Sequence, residues 1–132
     1  MIKPSSRRLS RAQVTSGQSL VEFALVLSLL VLFLFGILEG GRAVYAYSTI
    51  THAAREGAHF AITDPTNTAG IRSQVIDSAI GLGLTSGNVT SSCSPCTAGN
   101  SIRVDVTYNF QSVYLLVLPN LTLRTAATMY IE

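Results

Sequence analysis

Residues 20–38 form nineteen consecutive positions in which Glu22 is the only charged side chain, and no other feature restricts the fold so tightly. As a helix rising about 1.5 Å per residue, the run reaches roughly 28 Å, close to the ~30 Å hydrocarbon thickness of a bilayer. A helix apolar on every side is buried either in a large core or in lipid. A chain of 132 residues offers little protein in which to bury it, so the run reads as one membrane span. Glu22 lies just inside its start, and a carboxylate in hydrocarbon costs about 2.5–3.5 kcal/mol on insertion scales. It calls for a positively charged partner.

Charge sets the orientation. Lys3, Arg7, Arg8 and Arg11 precede the span with no acid among them, whereas the first basic residue after it, Arg42, is accompanied by Glu39. The positive-inside rule then places the N-terminus in the cytoplasm and everything after about Arg42 outside. A cleaved secretory signal has the same basic and apolar regions and is the competing reading. Against it, the apolar run exceeds the usual 7 to 15 residues or so and continues into a helical pattern with no A-x-A-like site directly after it. The formal charge of +2 belongs to the leader: four of the nine basic residues lie in the first seventeen, leaving five arginines against seven acids, a net of −2. Nothing outside the leader suggests a nucleic-acid surface.

Three segments follow: a basic cytoplasmic leader over 1–17, a transmembrane helix over 18–41, and one small extracytoplasmic domain over 42–132, which is long enough for a single modest core. Beyond the span, Val44, Tyr47, Ile50, Ala54, Ala58 and Ala61 keep the three-and-four spacing of a buried helix face, and no breaker occurs before Asp64-Pro65. The spacing therefore predicts a single rod over residues 18–62. Residues 66–83 predict a second helix, capped by Thr68, with Ile71, Val75, Ile76, Ala79, Ile80 and Leu82 as its stripe and Gly81-Leu82-Gly83 as its end. Ile102, Val104, Val106, Tyr108 and Phe110 alternate with polar residues as in a half-buried strand, and residues 121–131 repeat the pattern. Residues 88–92 offer a third short strand. The expected fold is α+β: a long N-terminal helix with a transmembrane half and an amphipathic half, a second short helix, and a small antiparallel sheet.

Several residues invite a chemical reading. Gly36 and Gly40, four apart at the outer end of the span, allow close approach of two helix backbones, although glycine is also frequent in membrane helices generally. Cys93 and Cys96 sit in a Ser/Thr/Gly-rich loop, where an oxidising compartment favours a local disulfide. A zinc site there needs further ligands, and a redox pair needs a thioredoxin-like framework that the surroundings lack. His52, Glu56 and His59 share a helix face, but their spacing is not the His-Glu-x-x-His of a zinc enzyme, and a solvated polar face is the simpler reading. No metal or other cofactor is expected. Residues 113–119, Val-Tyr-Leu-Leu-Val-Leu-Pro, are too few to span a bilayer. They pack in the core, dip into the membrane surface or meet a partner. No nucleophile, base and orienting group can be assembled, so an enzyme is not expected.

Taken together, Gly17-x-x-x-x-Glu22-Phe23, the apolar span, Phe35-Gly36-Ile37-Leu38-Glu39-Gly40-Gly41-Arg42, Ala53-Ala54-Arg55-Glu56-Gly57-Ala58 and the terminal Thr125-Ala126-Ala127-Thr128-Met129-Tyr130-Ile131-Glu132 resemble the TadE-like pseudopilins of the bacterial tight-adherence pilus. The similarity is dense over residues 16–62 and loose thereafter. The short chain favours TadE-like over the larger TadG-like members. The resemblance implies a pilin-like fold and a minor pilin involved in pilus assembly and surface attachment. It implies cleavage by a prepilin peptidase between Gly17 and Gln18, and a fifth-position glutamate at Glu22, followed by Phe23, acting in assembly. The new amino group at Gln18 then supplies Glu22 with its partner, within one chain or between chains. Two features depart from the family pattern: the leader is long, and Ser16 stands where a basic or apolar residue is expected. The implied partners are the lipid membrane, the prepilin peptidase, and other pilins or pseudopilins with their assembly machinery; the implied location is the bacterial cytoplasmic membrane or a surface pilus. The alternative is an uncleaved single-pass protein whose outer domain binds a partner in a secretion or envelope complex.

Overall fold

In the computed structural model, which describes residues 12–113 and 120–132, one helix dominates. Helix α1 runs over Ala12–Thr63, 52 residues, or about 78 Å at 1.5 Å per residue. Gly36, Gly40 and Gly41 do not interrupt it, although an interior glycine costs up to about 1 kcal/mol relative to alanine. The hydroxyls of Ser28, Thr49 and Thr51 fold back on the carbonyls of Ala24, Tyr45 and Tyr47 at 2.7, 2.9 and 2.8 Å, so these polar groups are satisfied within the helix. The helix stops where Pro65 disfavours helical backbone at Asp64.

The two halves of α1 meet different surroundings. Over residues 20–38 the large side chains face outward except Phe35, which is half-buried, and Phe23, Phe33 and Ile37 are 65–70% exposed. In the second half Ala46, Ile50, Ala53, Ala54, Ala58 and Ala61 are buried. This corrects the expected stripe at its lower end, because Val44 and Tyr47 are 70% and 49% exposed. At about 100° per residue Val44 points roughly 120° away from Ile50, and the buried face is built mainly of alanines, whose short side chains let the rest of the domain lie close to the helix axis.

Helix α2 covers Thr68–Ser78, shorter at both ends than expected. Its cap is Asn67 and not Thr68: the Asn67 Oδ1 accepts from the Gly70 N–H at 2.9 Å, the geometry for which asparagine is among the best residues. It ends at Ala79, before Gly81-Leu82-Gly83, because both glycines take positive φ (83° and 62°) and turn the chain twice. Ile80 is consequently 76% exposed and does not belong to the stripe, while Ile71, Val75 and Ala79 are buried.

The strands β1 (Val89–Cys93), β2 (Ser101–Phe110) and β3 (Leu121–Tyr130) form an antiparallel sheet in the order β1-β2-β3. Val89 pairs with Val106 and Cys93 with Ile102, while Ser101 pairs with Tyr130 and Phe110 with Leu121. Alternation along β2 puts Ile102, Val104 and Val106 fully inside and Arg103 outside, as a half-buried strand requires. These residues, with Val89, Ile71, Val75, Ile50 and the alanines of α1, make one core between the sheet and the two helices, a two-layer α+β arrangement. A 3.4 Å contact between the Thr51 and Thr125 hydroxyls shows that β3 climbs alongside α1.

Candidate functional site

At the N-terminal end of α1, Gly17, Gln18, Val21, Glu22 and Leu25 line one shallow hollow on an exposed face. Gln18 and Glu22, four apart in a helix, are surface neighbours. Phe23 is 65% exposed. A side chain built at Gly17 would meet nothing within 4 Å. Among the described residues no ion pair involves Glu22. The leader cations Lys3, Arg7, Arg8 and Arg11 and the apolar run at 114–119 lie outside the described residues.

Gly36 and Gly40 are half-buried, and a Cβ at Gly40 would touch nothing. The chain's own packing therefore does not demand glycine at position 40. Gly57 is different, because a Cβ at that position would land on a methyl of Val75 in α2.

The most constrained polar group is Glu39, immediately after the apolar run. Ile37 and Leu38 are 70% and 61% exposed, and Glu39 is fully buried. Its Oε1 accepts from the Val113 backbone N–H at 2.9 Å, and the carboxylate takes two hydrogen bonds from Arg42 Nη1 at 2.9 and 3.1 Å. The Arg42 guanidinium lies 5.5 Å from the centre of the Phe110 ring, within cation–π range. One carboxylate thus joins the end of the apolar run to Val113, three residues beyond the end of β2 and 74 residues away in sequence. Read from the sequence, Glu39 is only a charge beside Arg42. The signal that marks it is local: an acid and an arginine three apart, placed where the apolar run stops.

Cys93 and Cys96 are bonded to each other, with Cα atoms 5.1 Å apart, at the far end of β1. His52 Nδ1 is 3.9 Å from Glu56 Oε1, with the His52 side chain exposed and that of Glu56 partly so. Among the described residues no three His, Cys, Asp or Glu side chains are grouped to hold a metal.

A helix bare and apolar over its first half and clothed by a small α+β head over its second fits a membrane-anchored pilin-like protein. Comparison with protein families makes this specific: the model described as TadE-like protein matches residues 17–59, so the resemblance to the TadE-like family holds over the segment running from Gly17 through the apolar half of α1 into the head. Comparisons with curated proteins and with solved structures give no significant match.

Proposed function

We propose that this chain is a membrane-anchored TadE-like pseudopilin, a minor pilin involved in assembling a tight-adherence type pilus. The observation that carries this reading is the family match over residues 17–59, which begins at the proposed cleavage glycine and includes the whole apolar run. In this reading a prepilin peptidase on the cytoplasmic side cuts after Gly17, and α1 from Gln18 remains in the cytoplasmic membrane with the head outside. The amino group of Gln18 pairs with Glu22 on its own or a neighbouring subunit, since a buried charge must find a counter-charge. Phe23 and the small residues Gly36 and Gly40 then face other pilins or pseudopilins and the assembly machinery, where close backbone approach favours small side chains. The role is structural and not catalytic.

The test is the N-terminal sequence of the mature protein. Co-expression with a prepilin peptidase should remove seventeen residues and expose Gln18, and Gly17→Val should block removal. Mature protein that retains Met1 in its native host would instead support the uncleaved, partner-binding alternative.

A further inference from the structure

We infer that the free edge of β3 is a docking site for an extended, acidic strand of a partner protein, added to the sheet beside α1. The inference goes beyond the pilin reading and does not depend on cleavage after Gly17. β3 is the last strand of the sheet, and its bonds to β2 use only half of its backbone. The Ile131 N–H donates to the Asn100 carbonyl at 2.8 Å, and the pairing continues one-to-one from Tyr130 back to Leu121 without a bulge. Successive residues of an antiparallel strand point their N–H and C=O groups to opposite sides. Met129, Ala127 and Thr125 therefore face β2, and Tyr130, Thr128, Ala126 and Arg124 face away. No described residue takes up those outward groups. The edge also lacks the usual blunting devices: over Leu121–Tyr130 there is no proline or glycine, and Arg124 is the single charge.

The packing is unfinished on the same side. Along β2 the inward Ile102, Val104 and Val106 are 0% exposed, whereas along β3 the inward Leu123, Thr125, Ala127 and Met129 stay half-buried. The core is closed at β2 and open at β3. Helix α1 borders this opening: Thr51, whose hydroxyl meets that of Thr125, lines one groove with the exposed Val44, Ser48 and Arg55. A helix docked there would cover the groove but leave the outward N–H groups of β3 unpaired. An extended strand satisfies them and places every second side chain toward the groove and the open core. Charge selects the kind of strand. Arg55 on the helix and Arg124 on the strand form no ion pair among the described residues, and β3 carries no acid, so an acidic strand is the complementary one. The β3 strand of a second copy has no acid to offer.

The probe is a synthetic peptide as long as β3 that alternates valine with threonine and carries a central aspartate. It is added to the full-length protein in detergent micelles while amide hydrogen exchange is followed residue by residue. The outward amides of Arg124, Ala126 and Thr128 should exchange about tenfold more slowly with the peptide present, while those of Thr125 and Ala127, already bonded to β2, change little. The same peptide with lysine in place of aspartate should bind several-fold more weakly. Ala126→Pro removes an outward N–H and no bond to β2, a placement that edge strands tolerate; it should keep the thermal midpoint of the head and lose the peptide. Arg124→Glu, at an exposed position, should reverse the preference between the two peptides, and it decides the matter if Ala126→Pro unfolds the head. Outward amides that do not slow, or a folded Ala126→Pro that binds as wild type does, overturn the edge as a site. Equal or stronger binding of the lysine peptide overturns the acidic partner. Outward amides protected in the protein alone, and deprotected on dilution, give the edge to a second copy and overturn the inference as well.

Discussion

Glu39 is a carboxylate removed from water directly after the apolar run of α1. Three hydrogen bonds converge on it, and a buried acceptor that loses its donors, or a donor that loses its acceptor, carries the full cost of its desolvation. Two substitutions separate the contributions. Glu39→Gln keeps an oxygen for the Val113 N–H but gives up the charge that holds Arg42; Glu39→Ala removes both. Amide hydrogen exchange at Val113 should accelerate slightly in the first and strongly in the second, while the amides of β1, far from this end, remain protected. Equal protection of Val113 in wild type and Glu39→Ala would show that the bond does not hold the strand end.

At the scale of elements, helix α1 meets α2 through Gly57, and the sheet through alanines. Alanine at Gly57 gains about 1 kcal/mol in helix propensity but drives a methyl into Val75, and overpacking of this kind costs about 1–3 kcal/mol. Gly57→Ala should therefore lower the thermal midpoint of the head by several degrees, whereas Gly40→Ala, which meets nothing, should leave it unchanged or raise it slightly. Parallel melts followed by circular dichroism decide the point, and an unaltered midpoint for Gly57→Ala would mean the two helices can move apart without cost.

The elements are legible in the sequence because their evidence is periodic. The long helix, the short helix and the alternation along β2 and β3 all follow from residues within one or two turns of each other. The cap at Asn67 is not legible, because Asn67 and Thr68 are both plausible caps and only the bond to the Gly70 N–H distinguishes them. Val44 and Tyr47 look like core residues in a stripe, but Ala46 beside them is buried while they are exposed. The head covers a face centred on the small alanines, and the larger side chains alongside them miss it by azimuth. The joint between Glu39 and Val113 is hidden for a different reason: the partner is a backbone amide, which every residue but proline has, so no residue type marks it.

For the molecule as a whole, Glu22 separates anchoring from assembly. If the carboxylate merely sits near head groups, Glu22→Gln relieves a small burden and the protein works as before. If it pairs with the amino group of Gln18, the substitution leaves that charge uncompensated in the membrane. The expected outcome is normal insertion and normal cleavage with loss of surface pili and of cross-links to other pilins. Normal piliation in the Glu22→Gln strain would favour the uncleaved, partner-binding reading instead.

The unbroken run of α1 fixes an azimuth as well as a distance. Seventeen residues separate Glu22 from Glu39, which at about 100° and 1.5 Å per residue puts the two carboxylates roughly 25 Å apart along the axis and about a quarter-turn out of phase. Whatever grips the lower end of such a shaft also decides which way the head faces, as the teeth of a key decide the angle of its bow. Point substitutions in the apolar half leave this bearing intact. Adding or deleting a single residue there swings the head by about 100° and shifts it along the axis by less than the width of a methyl group, so the apolar half tolerates changes of spelling far better than changes of length.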